Sequence, residues 1–282
     1  MPQSNVSQPV TSQPGIIGIV GGVGPLAGLD LQAKIVAQTV AARDQDHLPV
    51  LSVSWPGPIP DRTEYLLGQV AENPAHAIVA QLRLLAAMGA TVAAIPCNTA
   101  HAPAIFDVIR AGVAGFERPL RLLHLIDETA DHLAAHYPDL RTIGVLSTTG
   151  TWRAQLYPER LAARGLRVVA PDAALQETIH AAVYDPAHGI KSAGQVTARA
   201  RADLERGMVA LRGQGAEAVV LGCTEMPLAF AAGAFEGLPL IDATWVLARA
   251  LIRAVDPQRL KPLPSQGLAG SDGPCNCQSA TG

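Results

Sequence analysis

Two segments of the chain repeat each other at a constant offset, and each of them ends in a cysteine. Cys97 closes an apolar run that begins at Gly89, and Cys223 closes a similar run that begins at Gly215. Both runs open on a Gly-Ala pair and lead into a turn that carries threonine. The two cysteines are 126 positions apart. This spacing predicts two copies of one structural unit, each of which presents one thiol at an equivalent place.

A second pair of segments keeps the same offset. Residues 17–24 begin Ile-Gly-Ile-Val and end on glycine, and residues 143–150 begin Ile-Gly-Val-Leu and also end on glycine. Along both halves, short apolar segments alternate with helical patterns of roughly ten or more residues, which is typical of α/β units on parallel sheets. The sequence therefore predicts an α/β protein with two pseudo-symmetric Rossmann-like domains, each on a parallel sheet. The active site is expected in the cleft between the domains.

The composition of the two ends sets the expected domain boundaries. Residues 1–14 are rich in Gln, Ser and Pro, and residues 262–282 are rich in Gly, Ser and Pro, a composition that buries too little apolar surface to fold. Residues 123–127 and 238–242 look like equivalent crossover strands, so the halves are expected to exchange their last elements. The predicted organisation is a disordered lead at 1–14, a first domain at 15–117 plus 238–261, a second domain at 118–237 and a disordered tail at 262–282.

The overall composition narrows the classes of partner. Of the 282 residues, 49% are apolar, which is enough for substantial cores. The net charge is −3 and no basic run is present, so neither nucleic acid nor an anionic membrane is expected as a partner. No stretch approaches the roughly 18 apolar residues of a membrane span. Residues 1–14 lack the charged start and apolar centre of a signal peptide, so a cytoplasmic location is expected.

The four cysteines point to thiols rather than to a disulfide framework. Cys275 and Cys277 form a Cys-x-Cys pair in the tail that could catch a metal, but no histidine or further cysteine accompanies them, and we expect no metal site. Cys97 and Cys223 are expected at the carboxyl ends of parallel strands, which is where such sheets form their sites.

The residues after each cysteine suggest how a thiol could be activated. Helices are expected to begin at Thr99 and Thr224, and a helix N-terminus binds carboxylates and lowers the pKa of a thiol. His101 and Glu225 could tune the thiols or relay protons to them. A cysteine can also be a small buried apolar residue, but a symmetric pair favours a function. A nucleophilic thiol beside a histidine is a further alternative, which would leave the second cysteine unexplained.

The glycine turn after the first strand allows a different function. Residues 22–27 match the loose dinucleotide fingerprint Gly-x-Gly-x-x-Gly/Ala, and Asp44 and Asp46 lie where a ribose-binding acid is expected. Glycine turns between a strand and a helix also arise for backbone reasons alone. The equivalent turn of the second half, residues 147–150, reads Ser-Thr-Thr-Gly and suits a small polar ligand. Dinucleotide binding therefore stays an alternative.

Two further charged positions are candidates for binding a carboxylate. Asp61 and Arg62 form a charged pair in a proline-containing loop, which is either a solvated surface loop or an arginine fork for a carboxylate. Lys191 lies in a glycine-containing loop, where a lysine considered alone is expected at the surface.

Five motifs together resemble the aspartate/glutamate racemase family, and especially its aspartate racemases. The resemblance covers about residues 15 to 255 with all five motifs in family order, and the two cysteine motifs are the most specific. Val23 departs from the methionine that the family often has in the first loop. The motifs are Gly-Gly-x-Gly-Pro-Leu-Ala at 21–27, Ile-Pro-Asp-Arg-Thr at 59–63, Pro-Cys-Asn-Thr-Ala-His at 96–101, Thr-Thr-Gly-Thr at 148–151 and Gly-Cys-Thr-Glu at 222–225.

The resemblance implies a reaction without pyridoxal phosphate, metal or nucleotide. It implies that Cys97 and Cys223 are the two catalytic acid/bases, one on each face of the substrate α-carbon. Asp61, His101 and Glu225 would support them. The implied substrate-binding residues are Asn98, Thr99 and Thr224 for the α-carboxylate, Arg62 and Lys191 for the side-chain carboxylate, and Gly22, Thr149 and Thr151 as walls of the pocket.

The chemistry of inversion agrees with this assignment. Inverting a carbon centre needs a base on one face and an acid on the other, and two thiols can exchange those roles. The predicted function is reversible racemisation of aspartate, with glutamate left open as a second substrate. The partner is then a dicarboxylic amino acid, and the resemblance implies a homodimer. The alternatives are a related two-cysteine enzyme, such as a hydantoin racemase or a maleate isomerase, and a non-catalytic carboxylate-binding protein on the same fold.

Overall fold

The structure is a computed structural model that describes residues 15–230 and 233–263. The predicted lead at 1–14 lies outside the described residues. The same holds for the tail from residue 264 onward, with Cys275 and Cys277.

Two sheets carry the fold, one in each half of the chain. The first sheet contains β1 (Ile16–Val20), β2 (Val50–Val53), β3 (Ala90–Ala94) and β4 (Arg121–Leu122). The second contains β5 (Thr142–Ser147), β6 (Arg167–Val169), β7 (Ala218–Gly222), β8 (Ala234–Phe235) and β9 (Leu238–Asp242).

Both sheets have the same strand order. The first is ordered β2-β1-β3-β4, and the second is ordered β6-β5-β7-β9 with β8 added at its edge. The ladders are parallel, apart from the antiparallel hairpin of β8 and β9. The predicted α/β class with two parallel sheets is therefore confirmed.

The internal repeat holds at the level of hydrogen-bond register. Ile17 of β1 pairs with Val92 of β3, and Ile143 of β5 pairs with Ala218 of β7. The second pair lies 126 positions after the first, as the cysteines do. Strands in the same register must end at equivalent places, so the two halves present equivalent sheet edges to whatever follows β3 and β7.

Paired glycines keep the central strands close to their neighbours in both halves. A Cβ atom at Gly18 would lie 3.1 Å from the Cβ atom of Ala90, and one at Gly144 would lie 3.1 Å from that of Ala216. These contacts are tighter than ordinary van der Waals distance, so glycine allows the close approach at the same point of each repeat without displacing the alanines.

Eleven helices accompany the strands within the described residues. They are α1 (Pro25–Gln38), α2 (Arg62–Leu66), α3 (Ala75–Ala87), α4 (Pro103–Ala114), α5 (Leu125–His136), α6 (Thr149–Arg153), α7 (Leu156–Ala162), α8 (Ala173–Tyr184), α9 (Ile190–Ala193), α10 (Ala198–Gly213) and α11 (Ala243–Val255). Helices α3 and α4 pack on each other beside the first sheet, and α8 and α10 pack on each other beside the second.

One apolar core is shared by the two halves. It joins Ile17 of β1 and Leu31 of α1 to Ile143 of β5 and Leu247 of α11, all of them fully buried. Separate cores lie under α3 and α4 in the first half and under α8 and α10 in the second. The shared core holds the two sheets together, and the carboxyl ends of their strands carry the residues considered below.

The last segment of the chain divides between the halves, which corrects the expected boundary at residue 238. Strand β9 pairs with β7 in the second sheet, whereas α11 packs on α1, β1 and β3 of the first half. Likewise β4 pairs with β3, so the first sheet extends past residue 117 to Leu122. Consecutive strands usually lie beside each other, and the open edge of β7 was the nearest place for β9. Helix α11 therefore crosses to the first half, whereas β9 stays in the second sheet.

The predicted crossover strand at 123–127 is also corrected. Strand β4 ends at Leu122 and α5 begins at Leu125. His124 caps this helix, because its Nδ1 atom accepts a hydrogen bond from the backbone N–H of Asp127 at 3.2 Å. A short apolar run does not distinguish a strand from the start of a buried helix.

Within 15–230 and 233–263, the structure contains no helix that is long and apolar enough to cross a membrane.

We predict that Gly28→Ala destabilises the fold. A Cβ atom at Gly28 of α1 would lie 2.6 Å from the Cα atom of Gly21 and 2.7 Å from its carbonyl oxygen, and backbone cannot rotate away. This overpacking should outweigh the gain of about 1 kcal/mol that alanine brings to a helix interior, for a net loss on the order of 1–2 kcal/mol. Urea unfolding measures the loss.

The matched control is Gly57→Ala, since a Cβ atom at Gly57 meets nothing within 4 Å among the atoms of the described chain. Its free energy of unfolding should stay within about 0.5 kcal/mol of the wild type. Equal stability of both variants would contradict the close approach of α1 to the glycine turn.

Candidate active site

The two cysteines lie at the carboxyl ends of equivalent strands. Cys97 follows β3 and is 8% exposed, and Cys223 follows β7 and is 7% exposed. The expected helix starts at Thr99 and Thr224 are wrong. Thr99 opens a three-residue 3-10 turn, and Thr224 precedes a four-residue 3-10 turn that begins at Met226. The local backbone is therefore too short for a helix-end site, and side chains supply the charge and the hydrogen-bond donors.

A capped one-turn helix places Arg62. Asp61 Oδ1 accepts hydrogen bonds from the backbone N–H groups of Thr63 at 2.7 Å and Glu64 at 3.0 Å, which starts α2 at Arg62. An aspartate at this position satisfies N–H groups that the helix itself leaves unpaired. The sequence allowed this loop to be either a solvated surface loop or an arginine fork for a carboxylate. In the structure it is the start of a helix, and its arginine is buried at 8% exposure.

The guanidinium of Arg62 lies beside the sulphur of Cys97. Burial lowers the pKa of Arg62, but the negative charges that Cys97, Tyr184 and Asp61 can carry outweigh burial and raise it. Its Nη1 atom donates to the carbonyl oxygen of Pro60 at 3.4 Å. A permanently charged guanidinium is therefore the immediate neighbour of this sulphur.

Residues of the second half hold the two side chains that follow Cys97. The hydroxyl of Tyr157 in α7 donates to Asn98 Oδ1 at 2.5 Å. The hydroxyls of Thr99 and Thr151 are hydrogen-bonded to each other at 3.0 Å. The two halves therefore meet at the end of β3, and each contributes to the same group of side chains.

Several buried polar atoms near Cys97 have no hydrogen-bond partner among the residues that the structure describes. They are Arg62 Nε, Thr63 Oγ1, Asn98 Nδ2 and Thr149 Oγ1. A buried donor without a partner is costly, on the order of 1–3 kcal/mol, and a ligand that accepts its hydrogen bond would recover that cost. All four can donate, so together they suit an anion with several acceptor oxygens, such as a carboxylate.

A different charge arrangement surrounds Cys223. Its Sγ atom donates to Glu225 Oε2 at 3.0 Å, and the Thr224 hydroxyl donates to the same oxygen at 3.3 Å. Lys191 Nζ forms an ion pair with Glu225 Oε1 at 2.7 Å. Glu225 is 3% exposed, so this ion pair is largely removed from water.

The pKa shifts follow from this arrangement. Burial, and then the carboxylate of Glu225, raise the pKa of the Cys223 thiol well above its ordinary value. Burial alone would raise the pKa of Glu225, but the charge of Lys191 lowers it. The site thus holds an ionised glutamate next to a protonated thiol, whereas Cys97 has a cation as its neighbour.

A tight turn positions Lys191. The backbone N–H of Gly189 donates to the carbonyl oxygen of Asp185 at 2.8 Å. A Cβ atom at Gly189 would lie 2.6 Å from both the nitrogen and the oxygen of Asp185, so glycine is required for this close approach. The turn leads from the end of α8 directly into α9, which carries Lys191.

Tyr184 contacts both Lys191 and the aspartate that caps α2. Its hydroxyl donates to Asp61 Oδ2 at 3.2 Å, and Lys191 Nζ lies 5.3 Å from the centre of its ring. Asp61 therefore uses one oxygen to start α2 and the other to bind the second half. A cavity of about 490 Å³ lies next to this contact and is lined from both halves, by Asp61, Thr63, Thr149 and Tyr184 among others.

The glycine turn approaches the ion pair rather than standing apart from it. A Cβ atom at Gly24, whose φ is 101°, would lie 2.7 Å from Glu225 Oε1 and 3.5 Å from Lys191 Nζ. Gly22 packs instead on the backbone of Trp55.

The aspartates of the dinucleotide alternative lie elsewhere. Asp44 and Asp46 belong to a 3-10 turn, in which Asp46 Oδ1 accepts a hydrogen bond from Arg43 Nε at 3.2 Å.

His101 supports the backbone of Cys97. Its Nδ1 atom lies 2.8 Å from the carbonyl oxygen of Cys97, and its ring stacks on Phe106 with centroids 4.9 Å apart. Burial and the neighbouring His124 lower the pKa of His101 from 6.5 to about 3. The ring is therefore neutral, and Nδ1 is the protonated nitrogen that donates to the carbonyl. His101 is thus hydrogen-bonded to the backbone at the end of the strand.

Thr63, Tyr157 and Tyr184 belong to the site but were not predicted from the sequence. Thr63 directly follows Arg62 in the Ile-Pro-Asp-Arg-Thr motif, and this position in the sequence could have identified it as a site residue. The two tyrosines lie in helices far along the chain, and only the fold brings them to Asn98 and Asp61.

Comparisons with known proteins agree on one family. A sequence model described as Asp/Glu/Hydantoin racemase matches residues 20–251. The structure is similar to an aspartate racemase from Picrophilus torridus, with 30% identity and a TM-score of 0.69, over 86% of this chain and 94% of that one.

Two more distant structures share the fold. An aspartate racemase homologue from Pyrococcus horikoshii is 22% identical, with a TM-score of 0.62, over 85% of this chain and 98% of that one. A glutamate racemase from Francisella tularensis in complex with D-glutamate is 15% identical, with a TM-score of 0.58, over 90% of this chain and 86% of that one.

The lowered pKa of His101 predicts a specific loss of stability in acid. In the unfolded chain this ring is protonated below its ordinary pKa of 6.5, whereas in the folded chain it stays neutral down to a pKa of about 3. Stability is therefore complete above 6.5 and falls as the pH drops, on the order of 2 kcal/mol by pH 5 from this residue. Urea unfolding at pH 7 and pH 5 should show a loss of stability that is larger in the wild type than in His101→Gln by about this amount, since His124 and His132, whose pKa values are also lowered, contribute to the loss in both proteins. An identical pH dependence of the two proteins would refute the assignment.

Proposed function

Because the chain belongs to the Asp/Glu/hydantoin racemase family, we propose that it racemises aspartate without a cofactor. Cys97 and Cys223 act as the two acid/base groups. The similarity to an aspartate racemase at 30% identity supports aspartate as the substrate.

The observation that carries this proposal is the unequal charge around two equivalent thiols. The cation Arg62 lies beside Cys97. Glu225 accepts a hydrogen bond from the Cys223 thiol, and its negative charge disfavours a second one there. A two-base racemase must begin with one thiolate and one thiol. We therefore assign the thiolate to Cys97, whose neighbour is a cation, and the thiol to Cys223, so that Cys97 is the base and Cys223 the acid.

From this starting state, one cysteine removes a proton from the α-carbon and the other donates a proton to it. The Cys97 thiolate removes the α-proton of one enantiomer and becomes a thiol. The Cys223 thiol donates its proton to the opposite face of the same carbon and becomes a thiolate. The product is the other enantiomer, and the two sulphurs have exchanged protonation states. Exchange with solvent or turnover of the opposite enantiomer restores the start.

The carbanion needs hydrogen-bond donors at the α-carboxylate, where its negative charge spreads. Asn98 Nδ2 and Thr149 Oγ1 are buried donors without a partner in the described part of the chain, and Asn98 directly follows Cys97. Donors that are already in place at a developing charge are among the largest contributions to catalysis. Thr99 is held nearby through Thr151.

The second carboxylate of the substrate has two candidate cations. Arg62 is buried beside Cys97 and has a free Nε–H with respect to the described residues. Lys191 Nζ lies 2.7 Å from Glu225 Oε1 and is paired with it. We infer that Arg62 is the main ligand of the side-chain carboxylate. Lys191 contributes only as far as the substrate competes with Glu225 for it.

We place the site in the cleft between two units. The hydrogen bonds Tyr157–Asn98, Thr99–Thr151 and Tyr184–Asp61 join the halves around it. We divide the chain by sheet membership. The first unit then comprises 15–122 and α11, and the second comprises the second sheet with its helices. The homodimer and the cytoplasmic location stay predictions, and size-exclusion chromatography with light scattering tests the former.

Loss of either thiol should abolish racemisation. We expect Cys97→Ala and Cys223→Ala each to lower kcat/KM by at least about a hundredfold, since each removes an acid/base group. The assay incubates L- and D-aspartate and L- and D-glutamate in deuterated buffer and measures α-proton loss together with the enantiomer ratio.

The control for this assay is the double variant Cys275→Ser/Cys277→Ser, which also removes thiols but should keep full activity. Full racemisation by Cys97→Ala would show that the two-thiol mechanism is wrong. Tight binding of aspartate by the wild type with no α-proton exchange would instead establish a carboxylate-binding protein.

Replacing Glu225 should make Cys223 more reactive. Glu225 raises the pKa of Cys223, so Glu225→Gln should lower it and increase the thiolate fraction at a given pH, as should the release of Lys191. Iodoacetamide labelling read by mass spectrometry should then show several-fold faster alkylation of Cys223 at pH 8. The internal control is Cys97, whose rate should not change. Unchanged alkylation of Cys223 would rule out Glu225 as the group that keeps it protonated.

A further inference from the structure

We propose that Tyr157 is a positioning residue that orients the Asn98 amide, so that its NH2 group faces the α-carboxylate of the substrate. This inference rests on the proposed function and adds a residue to it. Tyr157 lies in the second half of the chain, 59 positions after the asparagine that it would orient.

The hydrogen bond between the two side chains has one direction. An amide oxygen can only accept, so the hydroxyl of Tyr157 donates to Asn98 Oδ1, at 2.5 Å. The ring is 1% exposed, and burial raises the pKa of this hydroxyl, which keeps it protonated as the donor. A short bond in a buried place holds the amide firmly, because no water competes for either atom.

Fixing the oxygen also fixes the nitrogen of the amide. The two ends of an asparagine side chain have nearly the same shape, and the hydrogen-bond network decides which way it lies. With Oδ1 bound to Tyr157, Nδ2 must point to the other side. There it is buried and without a partner among residues 15–230 and 233–263. The opposite orientation would direct a carbonyl oxygen at a carboxylate and repel it.

The position of Tyr157 links the neighbourhoods of both thiols. A Cβ atom at Gly222 would lie 3.3 Å from Tyr157 Cε2, so the ring packs against the residue that directly precedes Cys223. Its hydroxyl reaches the residue that directly follows Cys97. One side chain thus spans from one strand end to the other, and it sets the orientation of an Asn98 group that the substrate would contact.

The local backbone of Tyr157 is specialised for this reach. Gln155 adopts a left-handed conformation with φ 50° and ψ 38°, which separates α6 from α7 and redirects the chain. A non-glycine residue in this region is uncommon and costs conformational energy. The break allows α6 to place Thr149 and Thr151 at the site while α7 places Tyr157 behind Asn98.

A double-mutant cycle tests the inference. Tyr157→Phe removes one oxygen atom, and we expect it to lower kcat/KM for aspartate by roughly tenfold to a hundredfold, as misplaced binding groups do. In the background of Asn98→Ala, the same substitution should lower kcat/KM by less than about twofold, because the group it orients is gone. A role in packing alone would give the same loss in both backgrounds, and that additive result would overturn the inference.

The matched control is a second tyrosine–asparagine hydrogen bond. Asn73 Nδ2 donates to the hydroxyl of Tyr65 at 3.0 Å, and neither residue has a place in the proposed site. Tyr65→Phe should leave kcat/KM within about twofold of the wild type. A loss as large as that of Tyr157→Phe would show that any buried hydroxyl matters, and it would overturn a specific role of Tyr157.

Two outcomes separate this inference from the proposed function. If the wild type and all variants fail to exchange the α-proton, the proposed function itself is wrong. If the wild type is active but the cycle is additive, only the role of Tyr157 is wrong.

Should Tyr157→Phe not fold, proton NMR of the labelled wild type replaces the cycle. The inference requires a cross-peak between the Tyr157 hydroxyl and the Asn98 amide, with amide resonances that shift on adding aspartate. Absence of the cross-peak, or amide resonances that stay in place, would overturn it.

Discussion

The parallel pairing of β1 with β3, repeated in the same register by β5 with β7, is the constraint on which the site depends. Parallel strands in equal register end at equivalent edges, and in such sheets ligands meet the carboxyl ends of the strands. Cys97 and Cys223 are the residues that the chain places there. A reaction that needs one proton-transferring group on each face of a carbon matches a fold that contains the same edge twice.

The backbone is close to symmetric, whereas the charges are not. One thiol has a guanidinium beside it and the other has a carboxylate, which is itself neutralised by Lys191. Burying Glu225 and Lys191 removes two charges from water, and their attraction does little more than offset that cost. We therefore expect the pair to contribute little to the stability of the fold and to serve the site instead. It keeps Cys223 protonated without leaving a net negative charge in the pocket.

The sequence predicted what depends on local pattern and repetition. The strands, their offset and the two cysteines follow from an apolar periodicity that recurs after 126 positions. The helices expected at Thr99 and Thr224 were wrong. Only a 3-10 turn forms before Pro103, which opens α4, and Pro227 lies in the first turn of the short 3-10 helix that begins at Met226. Proline suits the first turn of a helix, so it marks a later start rather than a continuation.

Contacts between distant parts of the chain could not be predicted in this way. The pairs Asn98–Tyr157 and Lys191–Glu225 join residues 59 and 34 positions apart, and no local pattern links them. The boundary at residue 238 was misplaced for a related reason. Strand β9 looks the same in either sheet, and only the open edge beside β7 decides where it pairs.

The fate of the α-proton in deuterated water tests the two-thiol account most directly. L-aspartate is converted to low extent, and the α-carbon of both enantiomers is examined by mass spectrometry after chiral separation. With separate acid and base, the D-aspartate formed carries deuterium while the remaining L-aspartate keeps its protium. Deuterium that appears equally fast in both enantiomers would mean that one group serves both faces, and it would contradict the assignment of Cys97 and Cys223.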